Sequence, residues 1–312
     1  MKAVQISQYG DASVLTVTAD APKPTVAEGK VLVEVHAASV NPIDSIIRSG
    51  AYAKMMPLAM PATLGTDMAG VVVEVGPGVT DVKKGDKVYG MASLLAGASG
   101  AFAEYAVVPA GLLARIPNGL GLTEAAALPL TAVSALEVID EKMKVGNGHK
   151  VLVHGGAGGI GTMAIQLARH RGATVATTAL AESTAYVKGL GADVVIDYQK
   201  DAFDKVLSGY DFVFDTVAGE TYKRSFAVLK RGGTIVSMLE QPNAELAAQY
   251  GVTAVAQLTQ VNTARLNTVT ELVNKGVIKV HVERAYPMEQ VKDAFLARES
   301  GKVRGKVVLT FR

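Results

Sequence analysis

The chain has 312 residues, 49% of them hydrophobic and 5% aromatic, a formal net charge of +2, and no cysteine. That length suits two domains, and the balanced charge excludes a nucleic-acid footprint, which needs clustered Lys/Arg and stacking rings. The missing thiols exclude disulfides, a cysteine nucleophile and any thiolate metal site.

The opening MKAVQISQYG has no apolar leader core. No run reaches the ~20 apolar residues that span a bilayer. The chain is therefore expected to be soluble and cytoplasmic, without a membrane partner. Up to residue 122, short β-type runs (KAVQI, KVLVEVHAASV, GVVVEVG, GDKVYGM, FAEYAVVP) are punctuated by PKP, EGK, GPG and KKGD turns. Strands so spaced, with no long helices between them, predict a barrel-like β domain. From 123 the texture changes. LTEAAALPLTAVSALEVIDE is helix-type, with Thr123 and Glu124 placed to open it. Apolar runs then end near Val153, Val175, Ile196, Phe214, Val236 and Val255. TMAIQLARHRG, STAYVKGLG and TYKRSFAVLKRGG read as helices between them. This alternation predicts an α/β fold with a doubly wound parallel sheet. The apolar VTAVAQL (252–258) is a candidate sheet edge, and an uncovered edge invites a second copy. The tail reads helix, strand, helix, strand. The expected domains are 1–122 with 265–312, β-rich, and 123–264, dinucleotide-binding.

Near mid-chain, HGGAGGIG holds G-x-G-x-x-G at Gly156, Gly158 and Gly161, after the strand KVLVHG and before an amphipathic helix. The first glycine is expected to turn the strand sharply. The second lets the backbone approach a pyrophosphate, and the third lets the helix pack on the strand. Ala157, Gly159 and Ile160 complete this cradle at the positive helix end. About 20 residues on, a carboxylate would clamp a ribose 2′-hydroxyl; the chain reads Thr177-Thr178. A carboxylate there would repel a 2′-phosphate, so its absence favours NADPH while leaving NADH open. The hydroxyls of Thr178, Ser183 and Tyr198 are the nearby candidates to meet that phosphate.

These parts, in this order, resemble the medium-chain dehydrogenase/reductase superfamily, and within it the zinc-free branch of quinone oxidoreductases and alkenal/enone reductases. The resemblance spans essentially the whole chain. Its carriers are AASVNPIDSIIRSGAY (37–52), LGTDMAGVVVEVGPGV (64–79), KKGDKVYG (83–90), GAFAEYAVVP (100–109), AALPLTAVSAL (126–136), HGGAGGIG, LGADVVIDY (190–198) and KVRGKVVL. It implies a Rossmann domain beside a GroES-like catalytic domain, NADPH in the cleft between them, and a homodimer. Residue by residue, it implies that Thr131 reaches the nicotinamide end and that Asn41 lines the nicotinamide pocket. It further implies that Ser183 and Tyr198 contact the 2′-phosphate, and that DTVAG (215–219), with Val217, passes near the adenosine ribose. Ser183 departs from the Lys of several relatives, which implies weaker NADPH selectivity. Zinc members of the superfamily carry a metal-binding histidine in a Gly-His-Glu stretch. Here the matching residues are Gly65-Thr66-Asp67, and the cysteine ligands are absent. The histidines at 36, 149, 154, 170 and 281 show no ligand spacing and are expected in the core, in turns or on the surface.

Without metal or nucleophile, the protein's task is to orient and polarise while the cofactor carries the hydride. A conjugated carbonyl or quinone suits such a site, with a donor near the oxygen where charge develops. Tyr52 is the candidate donor, or else a loop aromatic. Asn41 and Asp44 are pocket polars, unless Asp44 simply holds the NPID turn. Arg48 either gates the pocket or is a solvated helix charge, and the latter is expected. Arg304 and Lys306 face either the cofactor phosphates or a surface turn. Met55, Met56 and Met60 form an adaptable apolar wall or cover the core. No tyrosine has a lysine four residues on, which removes the short-chain dehydrogenase alternative. The expected function is an NADPH-dependent, zinc-independent reductase of quinones or α,β-unsaturated carbonyls. The alternative is an NADPH-binding structural or regulatory protein with little turnover.

Overall fold

The structure, a computed structural model, describes residues 1–311. Its strands, in chain order, begin with β1 (Ala3–Ile6), β2 (Thr16–Thr18), β3 (Lys30–Ser39), β4 (Ala62–Thr63), β5 (Asp67–Val75), β6 (Lys87–Met91), β7 (Tyr105–Pro109) and β8 (Leu113–Arg115). They continue with β9 (Lys150–Val153), β10 (Thr174–Ala179), β11 (Val194–Asp197), β12 (Tyr210–Asp215), β13 (Leu229–Ser237), β14 (Thr253–Ala256), β15 (Val282–Pro287) and β16 (Lys306–Thr310). The helices are α1 (Pro42–Ser49), α2 (Leu122–Ala125), α3 (Pro129–Leu136), α4 (Gly159–His170), α5 (Thr184–Gly189), α6 (Phe203–Val206), α7 (Gly219–Ser225), α8 (Ala244–Tyr250), α9 (Thr263–Asn274) and α10 (Val291–Glu299). Two compact units result. One comprises Met1–Leu130, Val261–Lys275 and the described chain from Val280 onward; the other comprises Thr131–Gln260 with Gly276–Lys279.

In the first unit the long strand β3 organises a sheet of order β15-β16-β3-β5-β6-β8, with β7 also paired to β3. Residues 30–34 of β3 pair with β7, and 37–39 pair with β16. Register shifts in the β3–β5 ladder, at Leu32/Val33 and Val35/Ala37, bend the sheet, as bulges do. This curling gives the barrel-like domain that the short strands predict. Its core holds Val31, Val33, Val35, Met68, Val88, Val108 and Leu309. Phe102 meets Phe295 edge to face at 6.0 Å, joining α10 to the barrel. A small antiparallel sheet, β2-β1-β4, completes the unit.

The second unit is a six-stranded, all-parallel sheet of order β11-β10-β9-β12-β13-β14, the doubly wound arrangement of dinucleotide folds. The apolar runs align as expected: Val153 pairs with Phe214, Phe214 with Val236, and Val236 with Val255. The middle strands are buried on both faces, whereas β14, at the end of the sheet, is half-exposed.

Two helical expectations change. The segment from 122 breaks at Pro129, which has no N–H to continue α2. Short α2 belongs to the first unit, while α3 runs into a π-helical turn, Glu137–Lys142. TYKRSFAVLKRGG is helical only to Val228, because Leu229 already pairs with Tyr210 of β12. Among the described residues no helix is long and apolar enough to cross a membrane.

Candidate functional site

At the head of the parallel sheet, β9 runs into the glycine turn. The left-handed bend falls on Gly155, with φ +67°, rather than on Gly156 as the motif suggested. Gly156 must lack a side chain for another reason: a Cβ there would lie 1.9 Å from Thr177 Oγ1, on the neighbouring strand β10. At Gly161 a Cβ would stand 2.2 Å from the Gly155 carbonyl oxygen and 2.7 Å from the Gly156 Cα. Helix and turn touch there through bare backbone. Gly158, the N-cap of α4, differs: its absent Cβ meets only the Gly155 oxygen, at 3.3 Å, and no side chain caps the helix. The N–H groups of Gly159, Ile160 and Gly161 have no acceptor within the helix and stand at its positive end. A pyrophosphate fits that cradle. Ala157 lies in the turn between.

His154 ties this turn to the sheet. It is fully buried; Nδ1 lies 3.1 Å from Thr178 Oγ1 and Nε2 lies 2.9 Å from Ser225 Oγ. Burial, aided by the nearby Arg224 charge, pushes its imidazole down to about 3, so it is neutral. Thr178 Oγ1 also accepts the Gly155 N–H at 3.1 Å. The hydroxyl thus links the end of β10 to both the buried imidazole and the glycine turn. Ser183, buried, and Tyr198, half-exposed, follow the ends of the paired strands β10 and β11. The Tyr198 N–H reaches the Ala179 carbonyl at 3.4 Å. Thr216 donates to the His154 carbonyl at 2.8 Å, and Val217 flanks Gly155. Asp215 accepts the N–H groups of Val217 and Ala218, both at 3.0 Å. That grip holds Ala218 at φ +73° and ψ −170°, a region that costs a non-glycine residue about 1–3 kcal/mol. Thr131 is buried on α3.

In the barrel unit, polar residues meet deep in the core. Asn41, the N-cap of α1, donates its backbone N–H to Asp44 Oδ2 at 2.7 Å and its side-chain Nδ2 to Asp67 Oδ2 at 2.9 Å. Its Oδ1 accepts from Lys306 Nζ. Thr66 donates to Asp44 Oδ1 at 2.7 Å, and the Leu130 N–H reaches Asp67 at 3.2 Å. Burial pushes the Asp44 carboxyl up to about 7, against the hydrogen bonds from Thr66 and Asn41; the neighbouring Asp67 charge adds to the rise. Burial likewise raises Asp67 to about 6, opposed first by the Lys306 charge. Lys306 is itself pushed down by burial. It is only 4% exposed, so it faces neither a phosphate nor a surface turn. Asp44 also walls a small pocket with Ile47, Leu64, Gly65, Ser93 and Leu94.

Tyr52 sits in the turn after α1, half-buried against the barrel core. Arg48 is no solvated charge. Its side chain is 7% exposed, bonds Glu299 at 3.2 Å and lies over the Phe295 ring. Arg304 forms a two-pronged bond to Glu283. Met55 and Met56 are exposed, whereas Met60 packs against the core. Thr66, Asp67 and His154 received no functional role from sequence reasoning. Their signal was polarity placed inside apolar runs, LGTDMAG and VLVHGG, where a polar group survives only with partners.

Two family models match: an alcohol dehydrogenase GroES-like domain over residues 27–118 and a zinc-binding dehydrogenase domain over residues 190–309. The chain is 36% identical to an NADPH-dependent alkenal/one oxidoreductase of Arabidopsis thaliana, across 99% of this chain and 79% of that one. The chain belongs to the medium-chain dehydrogenase/reductase superfamily. This superfamily enzyme is also similar to two solved structures. The quinone oxidoreductase of Coxiella burnetii superposes with a TM-score of 0.90 and 35% identity, covering 100% of this chain and 99% of that one. The Escherichia coli quinone oxidoreductase complexed with NADPH gives 0.90 and 28%, covering 99% and 100%. The medium-chain enzyme is thus an oxidoreductase whose relatives include quinone and alkenal/one oxidoreductases.

Proposed function

We propose that the enzyme is an NADPH-dependent, zinc-independent reductase of quinones or α,β-unsaturated carbonyls. The carrying observation is the uncapped N-terminus of α4 at Gly158, beside a second strand whose last residues, Thr177, Thr178 and Ala179, include no carboxylate. The N–H groups of Gly159, Ile160 and Gly161 hold the pyrophosphate, and the bare Gly158 lets it approach them. Ser183 and Tyr198 meet the 2′-phosphate, Val217 lies by the adenosine ribose, and Thr131 reaches the nicotinamide end. NADPH supplies the hydride when bound. Tyr52 offers a hydrogen bond to the acceptor oxygen as charge develops, and Asn41 and Asp44 shape the pocket.

Zinc independence is supported by the donor set. The chain has no cysteine, Thr66 stands in place of the histidine, and among the described residues no three His, Cys, Asp or Glu side chains converge. The lack of cysteine also suits a reducing compartment, and we assign the enzyme to the cytoplasm. We further propose a homodimer formed through the open edge of β14. The test of the reductase reading is anaerobic reduction of a 2-alkenal, and separately of a quinone, with NADPH deuterated at the transferable position. Deuterium carried to the alkenal β-carbon, or stoichiometric NADPH oxidation by the quinone, is expected. Tight NADPH binding without turnover of either acceptor would place the structural or regulatory alternative first.

A further inference from the structure

Asp44, Asp67 and Lys306 come from α1, β5 and β16, and none is more than 4% exposed. Two ionised carboxylates beside one buried ammonium would leave a negative charge opposed only by the partly exposed Arg298 of α10, which is costly. One proton is therefore shared between the carboxylates. Asp67 is the better supported anion, with donors from Asn41, Ser39 and the Leu130 backbone. Asp44 has two donors, from Thr66 and the Asn41 N–H, so the proton rests on Asp44. Of the three, Asp44 alone reaches the pocket bounded by Ile47, Leu64, Gly65, Ser93 and Leu94.

We propose that Asp44 delivers the proton that accompanies hydride transfer, and that Asp67 and Lys306 are positioning residues governing how readily it is released. The assignment rests on the reductase reading. On an α,β-unsaturated carbonyl the hydride adds to the β-carbon and the electron pair moves to the oxygen as an enolate; on a quinone the hydride goes to one carbonyl oxygen as its electron pair enters the ring, leaving a phenolate at the other. The pocket beside Asp44 has room for about one water, so the Asp44 O–H bond breaks as that water takes its proton and passes another to the acceptor, giving the saturated carbonyl or the hydroquinone. The Asp44 carboxylate left behind is held by the Thr66 hydroxyl and the Asn41 N–H, and is then reprotonated from water. The charged groups acting on Asp44 are Asp67, Lys306 and, from α10, Arg298.

Two charge-neutralising variants give opposite expectations. Lys306→Met removes a cation that favours the ionised form, so Asp44 holds its proton to higher pH. Asp67→Asn removes an anion that disfavours ionisation, so Asp44 releases it at lower pH. Each shift is about one pH unit, as for charges several ångströms apart. Carbon-13 carboxyl NMR of aspartate-labelled, cofactor-free protein reads this directly, with Asp44→Asn identifying the resonance. In turnover, kcat must fall as pH rises through the Asp44 titration, and the falling limb must move in these same opposed directions. Unmoved limbs, limbs moving the same way, or wild-type kcat in Asp44→Asn would overturn the assignment while turnover upholds the reductase reading. Should Lys306→Met not fold, Asp67→Asn and the NMR titration decide. A wild-type protein that oxidises no NADPH with either acceptor would sink the reductase reading and this assignment with it.

Discussion

Gly158 and Gly161 stand three residues apart in one turn, yet alanine should act on them in opposite ways. At Gly161 the new methyl would sit 2.2 Å from the Gly155 carbonyl oxygen and 2.7 Å from the Gly156 Cα. Both are backbone atoms, so the helix must shift to admit it. Such overpacking costs about 1–3 kcal/mol, offset by about 1 kcal/mol of helix propensity gained over glycine, for a net loss of up to about 2 kcal/mol. At Gly158 the backbone, φ −77° and ψ 175°, is open to any residue, and the methyl would meet only one oxygen at 3.3 Å. The stability cost there is the small N-cap difference between glycine and alanine, about 0.5 kcal/mol. That methyl would instead fill the space over the N–H groups of α4, separating them from a phosphate. A loss of about 1.4 kcal/mol corresponds to tenfold weaker binding, and at least that is expected. Urea melts report the first effect, and NADPH fluorescence titration the second. Gly158→Ala with wild-type NADPH affinity would refute the placement of the pyrophosphate on this helix end.

His154 gives a pH-dependent stability. Its folded-state value of about 3 lies below the ordinary 6.5, so the unfolded chain binds the proton first. The stabilisation is complete above pH 6.5 and is lost as pH falls toward 3, at a slope approaching 1.4 kcal/mol per pH unit, roughly. His154→Gln should therefore lose less stability than wild type between pH 7 and pH 5 in urea melts; equal losses would contradict a buried neutral imidazole. At the sheet edge, Val255→Arg should convert a dimer to a monomer by light scattering, since Val255 is the half-buried partner of Val236 on the last strand. A wild-type protein already monomeric at micromolar concentration would remove the dimer proposal.

The parallel sheet was legible because each strand is an apolar run closed by a turn, and the register aligns the ends of those runs. Helix limits were less so: Pro129 cut one expected helix, and pairing of Leu229 with β12 drew a helix-type run into a strand. The glycine turn lies between β9 and α4 as its motif implies, but the bend fell on Gly155, because only the three-dimensional crossing of β10 reveals what presses on Gly156. The contacts of the Thr178 hydroxyl with His154 and the Gly155 N–H were not legible for a related cause: strand register, not side-chain chemistry, sets them. Lys306 looked like a surface cation because GKVRGKVVL reads as a turn. Its burial beside Asn41 depends on three segments far apart in sequence, whose convergence no local pattern encodes.

The central claim is tested most directly by the ratio of kcat/KM for NADPH to that for NADH, measured anaerobically with a saturating 2-alkenal or quinone. Turnover with either acceptor and a ratio in favour of NADPH is the predicted result, given Thr177 and Thr178 at the end of β10. A preference for NADH would contradict the account of the missing carboxylate, and no oxidation of either cofactor would contradict the reductase itself.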